Sequence, residues 1–393
     1  MPTPTTAKRT NADHDDTTTN NNQQKDFANQ NINLGRREEE NESADDDDEY
    51  NDDDNLQDYL SQIRQGKIKM ACLGNSIQYY NDCPRLLERI FWEAGFTDAK
   101  QDSCLRGGAS LPSLWTKGNG MRNKFATPNA LISNNNSTSE EPSYDIGAPS
   151  VQALLENDSF DFAILNDHTQ SPAREESRDK TLRALEQDYA PLLLQSSIVP
   201  IFIQTAAYRI PEIRGTEDLG SSFEEFQALL EEGYEQYKQQ MDVFFEQQDN
   251  NNNTNSSSLV LKAHIAPVGL AYQELYHSNP ELWTRLYQTD DFHPSPHGTL
   301  LQAYVIFLTV VHALLLGDPT LNSTSTTSSR DVAPELLLAS TYETSWWDHA
   351  RVMQPPEDDP LPLPTQQEAE ILRQVAIQVC RDSWNNHGLS DRT

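Results

Sequence analysis

Four short stretches of this chain are built around runs of consecutive apolar residues rather than a strict alternation of apolar and polar ones. They are KIKMACLG (67–74), FDFAIL (160–165), IVPIFIQTA (198–206) and SLVLKAHIA (258–266). A strand with one face in water alternates apolar and polar residues, so a continuous apolar strand must be covered on both faces. Between these stretches lie segments of helical spacing. Asp82 stands where it can cap a helix with Pro84 in its first turn, Leu87, Ile90, Phe91 and Ala94 repeat at helical intervals, and Gly95 closes the run. Residues 222–246 form a long polar helix with a single apolar stripe. Strands and helices in alternation predict a parallel sheet with helices on both sides.

The chain has 393 residues. Residues 1–65 are rich in Asn, Thr and Gln and then turn acidic, as in DDDDEYNDDD. Such a segment offers too little apolar surface to offset the entropy of ordering it, so a disordered tail is expected. The folded domain is expected over 66–393, interrupted by polar loop insertions near 128–147, 247–258 and 318–331. After the Pro-rich QPPEDDPLPLP, Thr365 and Glu368 have the spacing of a capping box. They open a C-terminal helix over 365–385, with Leu372, Val375, Ala376 and Val379 on its inner face.

Charge narrows the partners. Asp and Glu number 61 against 29 Lys and Arg, a net charge of −32. Nucleic acids and anionic membranes bind basic surfaces, so neither is the expected partner. The four cysteines, Cys72, Cys83, Cys104 and Cys380, have no CxxC spacing, which suggests neither a zinc site nor a disulfide framework. No apolar leader segment is visible at the N-terminus, so a cytoplasmic location is expected. The apolar run Leu300–Leu316 contains Gln302, Tyr304 and His312 and lacks basic flanks, and reads as a buried core helix rather than a membrane span.

In open α/β sheets ligands collect at the carboxyl ends of the strands, so the loops there are the places to look. After the first strand comes GNSIQYYND, with Gly74 at the exit and Ser76 two residues on. A serine hydroxyl is a weak nucleophile unless a base takes its proton. TDDFHPSPHG (289–298) can supply one: Asp290 three residues before His293 can hold one imidazole nitrogen and leave the other for Ser76. Asp290 and Asp291 could equally cap the helix that follows, and His297 is a second candidate imidazole. Oxyanion donors could come from the Gly108 backbone in LRGGASL and the Asn166 side chain in FAILNDHTQSP, although each also suits a plain turn. His168 and Gln170 are further donors in the second loop, and Arg209 in TAAYRIPEIRG could meet an anion or simply lie at the surface.

Together, Gly74-Asn75-Ser76-Ile77, Gly108, Asn166-Asp167 and Asp290-x-x-His293 resemble, in chain order, the four blocks of the SGNH (GDSL-type) hydrolases. The resemblance covers about residues 67–316. It implies the three-layer α/β/α sandwich of that family, flavodoxin-like, with a central parallel sheet of about five strands. It also implies Ser76 as nucleophile, His293 as base and Asp290 as its orienting partner. The oxyanion hole would be formed by Ser76, Gly108 and Asn166, with no metal or organic cofactor. Two positions depart from the family pattern: Asn75 stands where Asp is common, and Ile164 where Gly is usual before Asn-Asp.

The implied activity is that of a serine esterase acting on an ester or acetyl group of a carbohydrate or small molecule. An O-acyltransferase would use the same first half-reaction. An inactive binding module that keeps the fold, and a metal-dependent phosphoesterase using Asp290, Asp291, His293 and His297, are alternatives of other classes.

Overall fold

The structure is a computed structural model. It describes residues 61–120 (except 62 and 65), 148–211, 216–251, 261–317, 334–350 (except 340 and 349) and 361–390. Most of the expected tail, together with the insertions at 128–147 and 318–331, lies outside the described residues. The tail's last residues differ from expectation: Ile63 packs against the core and the Arg64 side chain lies against Gly95.

Along the chain, β1 (Lys69–Gly74) leads through α1 (Ser76–Tyr79) and a 3-10 turn at Tyr80–Asp82 into α2 (Cys83–Glu93). Then come β2 (Lys100–Leu105), α3 (Leu111–Lys117), α4 (Val151–Asn157) and β3 (Phe162–Leu165). Next, α5 (Glu175–Ala184) passes through a π turn into α6 (Ala190–Gln195), followed by β4 (Val199–Ile203), α7 (Phe223–Asn251) and β5 (His264–Ala266). The last elements are α8 (Val268–Ser278), α9 (Pro280–Thr284), α10 (Pro296–Gly317) and α11 (Gln366–Ser390).

The five strands form one parallel sheet in the order β2-β1-β3-β4-β5. Side chains alternate between its two faces, and both faces are buried. Met70, Cys72, Ile164 and Ile201 enter one core with α2, α8, α10 and α11, whereas Ala71, Leu73, Leu165 and Phe202 enter the other with α3 to α6. The continuous apolar runs follow from this, because every strand position meets a helix layer. α7 serves both cores, Phe226 and Leu230 joining the first and Tyr237, Met241 and Phe245 the second. The architecture is thus a three-layer α/β/α fold around a five-stranded parallel sheet, as expected.

Several elements differ in detail from the sequence reading. β2 carries Lys100, Gln101, Asp102 and Ser103 in succession, a polar run that conceals a strand, yet Gln101, Asp102 and Ser103 are buried. α7 continues to Asn251, into the segment expected as a loop insertion from 247. β5 contracts to three residues facing Ile201–Ile203 of β4. Asp82 occupies the N-cap position of α2 but makes no capping bond, and its carboxylate lies 3.4 Å from Arg85 Nε. Gly95, at φ +97°, does close α2 in the left-handed region where an L side chain is strained.

α10 is long and apolar enough to cross a membrane, but 78% of that stretch is buried between the sheet and α2, α8 and α11. Ser295 caps it, its hydroxyl accepting from the N–H groups of His297 (3.1 Å) and Gly298 (3.3 Å), and Pro296 in the first turn gives up no needed donor. The capping box of α11 is formed: Thr365 N–H donates to Glu368 at 2.8 Å and Glu368 N–H to Thr365 Oγ1 at 3.3 Å.

A Cβ at Gly298 would lie 2.2 Å from both the Leu286 carbonyl oxygen and the Tyr272 hydroxyl. Backbone cannot move aside as a flexible side chain can. Gly298→Ala is therefore expected to destabilise the protein by about 1–3 kcal/mol, read as a lowered urea midpoint at unchanged slope.

Candidate active site

The strand order reverses between β1 and β3, and the loops leaving their carboxyl ends lie side by side there. Asn75 and Asn166, the residues immediately after these strands, are locked to each other. Asn75 N–H donates to Asn166 Oδ1 (3.2 Å), and Asn166 Nδ2 donates back to Asn75 Oδ1 (2.8 Å). Asn75 Nδ2 also donates to the carbonyls of Ala109 (2.9 Å) and Asp167 (3.0 Å), so the Gly107–Gly108 loop is tied to the same knot. Asn75 Oδ1 caps α1 by accepting from Ile77 N–H at 3.0 Å. These contacts explain why asparagine stands there: an aspartate would have no donor for the two carbonyls. They also explain Gly74, whose Cβ would sit 1.9 Å from Asn166 Oδ1. Close approach, rather than a sharp exit, is what requires glycine at that position.

Asp167 holds the third loop from below. Its carboxylate accepts from Leu111 N–H, His168 N–H, the Thr181 hydroxyl and the Tyr237 hydroxyl at 2.7–2.9 Å. Burial pushes its pKa up and these four donors oppose the shift, the net direction being upward.

The fourth loop reaches the same rim from residues 288–294. His293 Nδ1 lies 2.6 Å from Asp290 Oδ2, and Asp290 Oδ1 accepts from the N–H groups of His293 (3.0 Å) and Phe292 (3.3 Å). One carboxylate therefore fixes both the ring and the backbone beneath it. With Nδ1 as the donor to Asp290, the tautomer that leaves Nε2 free for a proton is the favoured one. Burial would raise the Asp290 pKa, but the bonds from the His293 ring and the two N–H groups outweigh it and hold the carboxyl below its ordinary value. The imidazole stacks on Tyr80 (centroids 3.8 Å apart, 6° between planes) and against Phe292 at 3.7 Å.

Ser76 and this loop are fastened together. Asn81 Nδ2 donates to the Pro294 carbonyl (2.9 Å) and Thr299 Oγ1 (3.0 Å), and Gln302 Nε2 donates to the Ile77 carbonyl (3.2 Å). As a result Ser76, Gly108 and His293 line one cavity of about 420 Å³, together with Tyr79, Gly107, His168, Gln170, Tyr208 and Phe292. Gly108 has φ +63° and open space where a Cβ would be. No hydrogen bond joins Ser76 Oγ to the His293 ring. Tyr79 lies beside Ser76 instead; burial raises its phenol pKa and the Ser76 hydroxyl partly offsets the rise. Such contacts commonly tighten only when substrate is bound.

Asn166 is brought to the rim but does not face the cavity. It is fully buried, and its Nδ2 donates to Asn75 Oδ1 and to the Asp167 carbonyl (3.1 Å). Its side chain clamps two loops, which corrects the expectation that it offers a free oxyanion donor. Two neighbours named with it, His168 and Gln170, do line the cavity.

The remaining polar candidates are held elsewhere. Asp291 Oδ1 accepts from Arg209 Nε at 2.6 Å, and the Arg209 N–H donates to the Asp291 carbonyl at 2.9 Å, so this pair joins two loops. His297 lies 3.4 Å from Glu368, and burial, reinforced by Arg285, lowers its pKa to about 4. Asp290, Asp291, His293 and His297 thus do not converge, and among the described residues no three His, Cys, Asp or Glu side chains are grouped to hold a metal ion. Another depression, on α7, carries charges that pair with each other, Lys238 with Asp242 and Lys262 with Glu246.

Sequence reasoning did not single out Tyr79, Tyr208 or Phe292 as cavity walls. A signal was present, since Tyr79 and Tyr208 follow β1 and β4 within a few residues of their carboxyl ends.

No protein-family model and no curated protein matches this chain. Three solved structures align with it, all with low similarity. A protein from Slackia heliotrinireducens, provisionally described as an SGNH hydrolase, is 21% identical, covering 62% of this chain and 100% of its own at a TM-score of 0.40. A DUF4886 family protein from Bacteroides uniformis is 14% identical over 69% of this chain and 93% of its own, at 0.37. A gut microbial diltiazem-metabolizing enzyme is 12% identical over 61% of this chain and 46% of its own, at 0.31. The chemistry of the site rests on the geometry above.

Two expectations follow. Asn75→Asp takes the side-chain donor from the Ala109 carbonyl and one of the two donors from the Asp167 carbonyl, and sets a carboxylate against both. It should cost about 2–4 kcal/mol in chemical denaturation. The Asp290 carboxyl is lowered in the folded state, so its stabilisation is complete above its ordinary value of 3.8 and is lost as pH falls through the lowered one. Asp290→Asn should therefore be less stable than the parent at neutral pH, with the difference shrinking below pH 3.8 in acid titrations followed by circular dichroism.

Proposed function

We propose that this chain is a serine esterase that cleaves an ester, such as an acetyl group on a sugar or small alcohol, through an acyl-enzyme on Ser76. The observation that supports this most directly is the Asp290–His293 pair, 2.6 Å apart, on the cavity that Ser76 also lines. His293 Nε2 takes the Ser76 proton as Oγ attacks the carbonyl carbon, and the carbonyl π pair moves onto oxygen. The tetrahedral intermediate collapses with loss of the alkoxide, which receives the proton from His293. Water then repeats the cycle on the acyl-enzyme, with His293 again the base. Asp290 orients the imidazole and stabilises it while charged. The Ser76 and Gly108 N–H groups are the backbone donors for the developing oxyanion.

The lining also bears on the substrate. Among the described residues around the cavity there is no Lys, Arg, Asp or Glu, and Tyr79, Tyr208 and Phe292 supply apolar faces. A charged substrate would lose its hydration there without gaining a partner, so an uncharged ester is the substrate class.

A fluorophosphonate probe should label Ser76 and no other serine, as read by peptide mass spectrometry. Ser76→Ala should lose hydrolysis of p-nitrophenyl acetate to background, and Asp290→Asn should lose about 10²–10⁴-fold in kcat. A folded wild-type protein that neither takes the label nor turns over esters of any chain length removes the proposal.

A further inference from the structure

A side-chain donor would add to the two backbone N–H groups that face the carbonyl oxygen when Ser76 attacks, and the residue expected to provide it is engaged elsewhere. Asn166 is fully buried with its amide hydrogens directed at Asn75 Oδ1 and the Asp167 carbonyl. Freeing the first would undo the reciprocal bond that joins the β1 and β3 loops, and freeing the second would remove one of the two donors on the Asp167 carbonyl. Two residues along the same loop, His168 lies on the cavity wall with Ser76 and Gly108.

The loop presents that ring in a defined way. His168 N–H donates to Asp167 Oδ1 at 2.8 Å and its carbonyl accepts from Ser171 N–H at 2.7 Å, so its backbone is fixed on both sides. The N–H of Gln170 approaches His168 Nδ1 at 3.4 Å, which makes Nδ1 the acceptor and leaves the hydrogen of the neutral ring on Nε2. Burial, with Arg174 adding to it, lowers the His168 pKa against the opposing Asp167 carboxylate. A ring held neutral with its hydrogen on Nε2 is a hydrogen-bond donor that carries no charge of its own. Gln170 is the less suitable neighbour: its Oε1 accepts from Arg174 Nε at 3.2 Å and its Nε2 approaches the Tyr208 hydroxyl at 3.3 Å.

We infer that His168, through Nε2–H, is the side-chain oxyanion donor of this site, in the position that Asn166 has vacated by clamping the loops. The assignment rests on the esterase reading of Ser76. In the step concerned, His168 transfers no proton. It donates one hydrogen bond to the carbonyl oxygen as that oxygen takes up the electron pair displaced by Ser76 Oγ, and returns to its starting state when the intermediate collapses. Its contribution is made in the transition state more than in the bound ester, so it belongs in kcat.

The test compares wild type, Ser76→Ala, His168→Ala, His168→Gln and Gln170→Ala on p-nitrophenyl acetate, with thermal midpoints measured on every variant. His168→Ala should lower kcat about 10²–10³-fold with KM changed less than about threefold. His168→Gln, which keeps an N–H donor, should recover at least tenfold of that loss. If His168→Ala does not fold, His168→Phe keeps the ring volume without the donor and carries the same comparison. A Ser76-dependent wild type whose His168→Ala or His168→Phe variant keeps kcat within about threefold overturns the His168 assignment and leaves the esterase reading intact. A loss that appears with Gln170→Ala instead, or in KM alone, overturns it as well. A wild type with no Ser76-dependent turnover overturns both.

Discussion

Two buried asparagines that satisfy each other hold the functional end of this molecule together. Asn75 and Asn166 each leave a strand at the point where the sheet reverses direction, and each supplies what the other lacks. A buried amide without partners is costly, so the pair is stable only in this one arrangement. Because Asn75 also donates to Ala109 and Asp167 carbonyls, three loops that diverge in sequence become one rigid rim. Ser76 and Gly108 line the cavity at that rim. The fourth loop is attached from the far side of the cavity by Asn81 and Gln302.

Electrostatically the cavity is quiet. Beside it the Asp290 carboxyl is bonded by the His293 ring and by the His293 and Phe292 N–H groups, which hold it below its ordinary pKa. Around it stand aromatic rings and neutral polar groups, with no Lys, Arg, Asp or Glu among the described residues that line the cavity. Tyr80 stacks on the imidazole and Phe292 packs against it at a 41° tilt, so its position owes as much to packing as to hydrogen bonding.

How much of this was legible in the sequence follows from where each signal resides. The strands with apolar residues at every position were legible because both faces are buried; β2 was not, because Gln101, Asp102 and Ser103 are buried polar residues and look like a loop. Asp290 and His293 are three apart, so their relation could be read from local spacing. The part played by Asn166 could not, since its partner is 91 positions away and the letters do not show which amide hydrogens are already engaged. Likewise Asp291 and His297 look as chemical as their neighbours, and only the placement of Arg209 and Glu368 separates them from the cavity.

Just after Ser76, Asn81 and Asp82 both adopt left-handed backbone conformations, at φ +51° and +53°. Each such residue costs on the order of 1 kcal/mol and persists only where surroundings enforce it. Asn81 is enforced by Pro294 and Thr299, 213 and 218 positions later. The turn that follows the serine's helix therefore depends on residues from the last third of the chain. The conformation of this corner is thus written in two distant parts of the chain, and neither part holds it without the other.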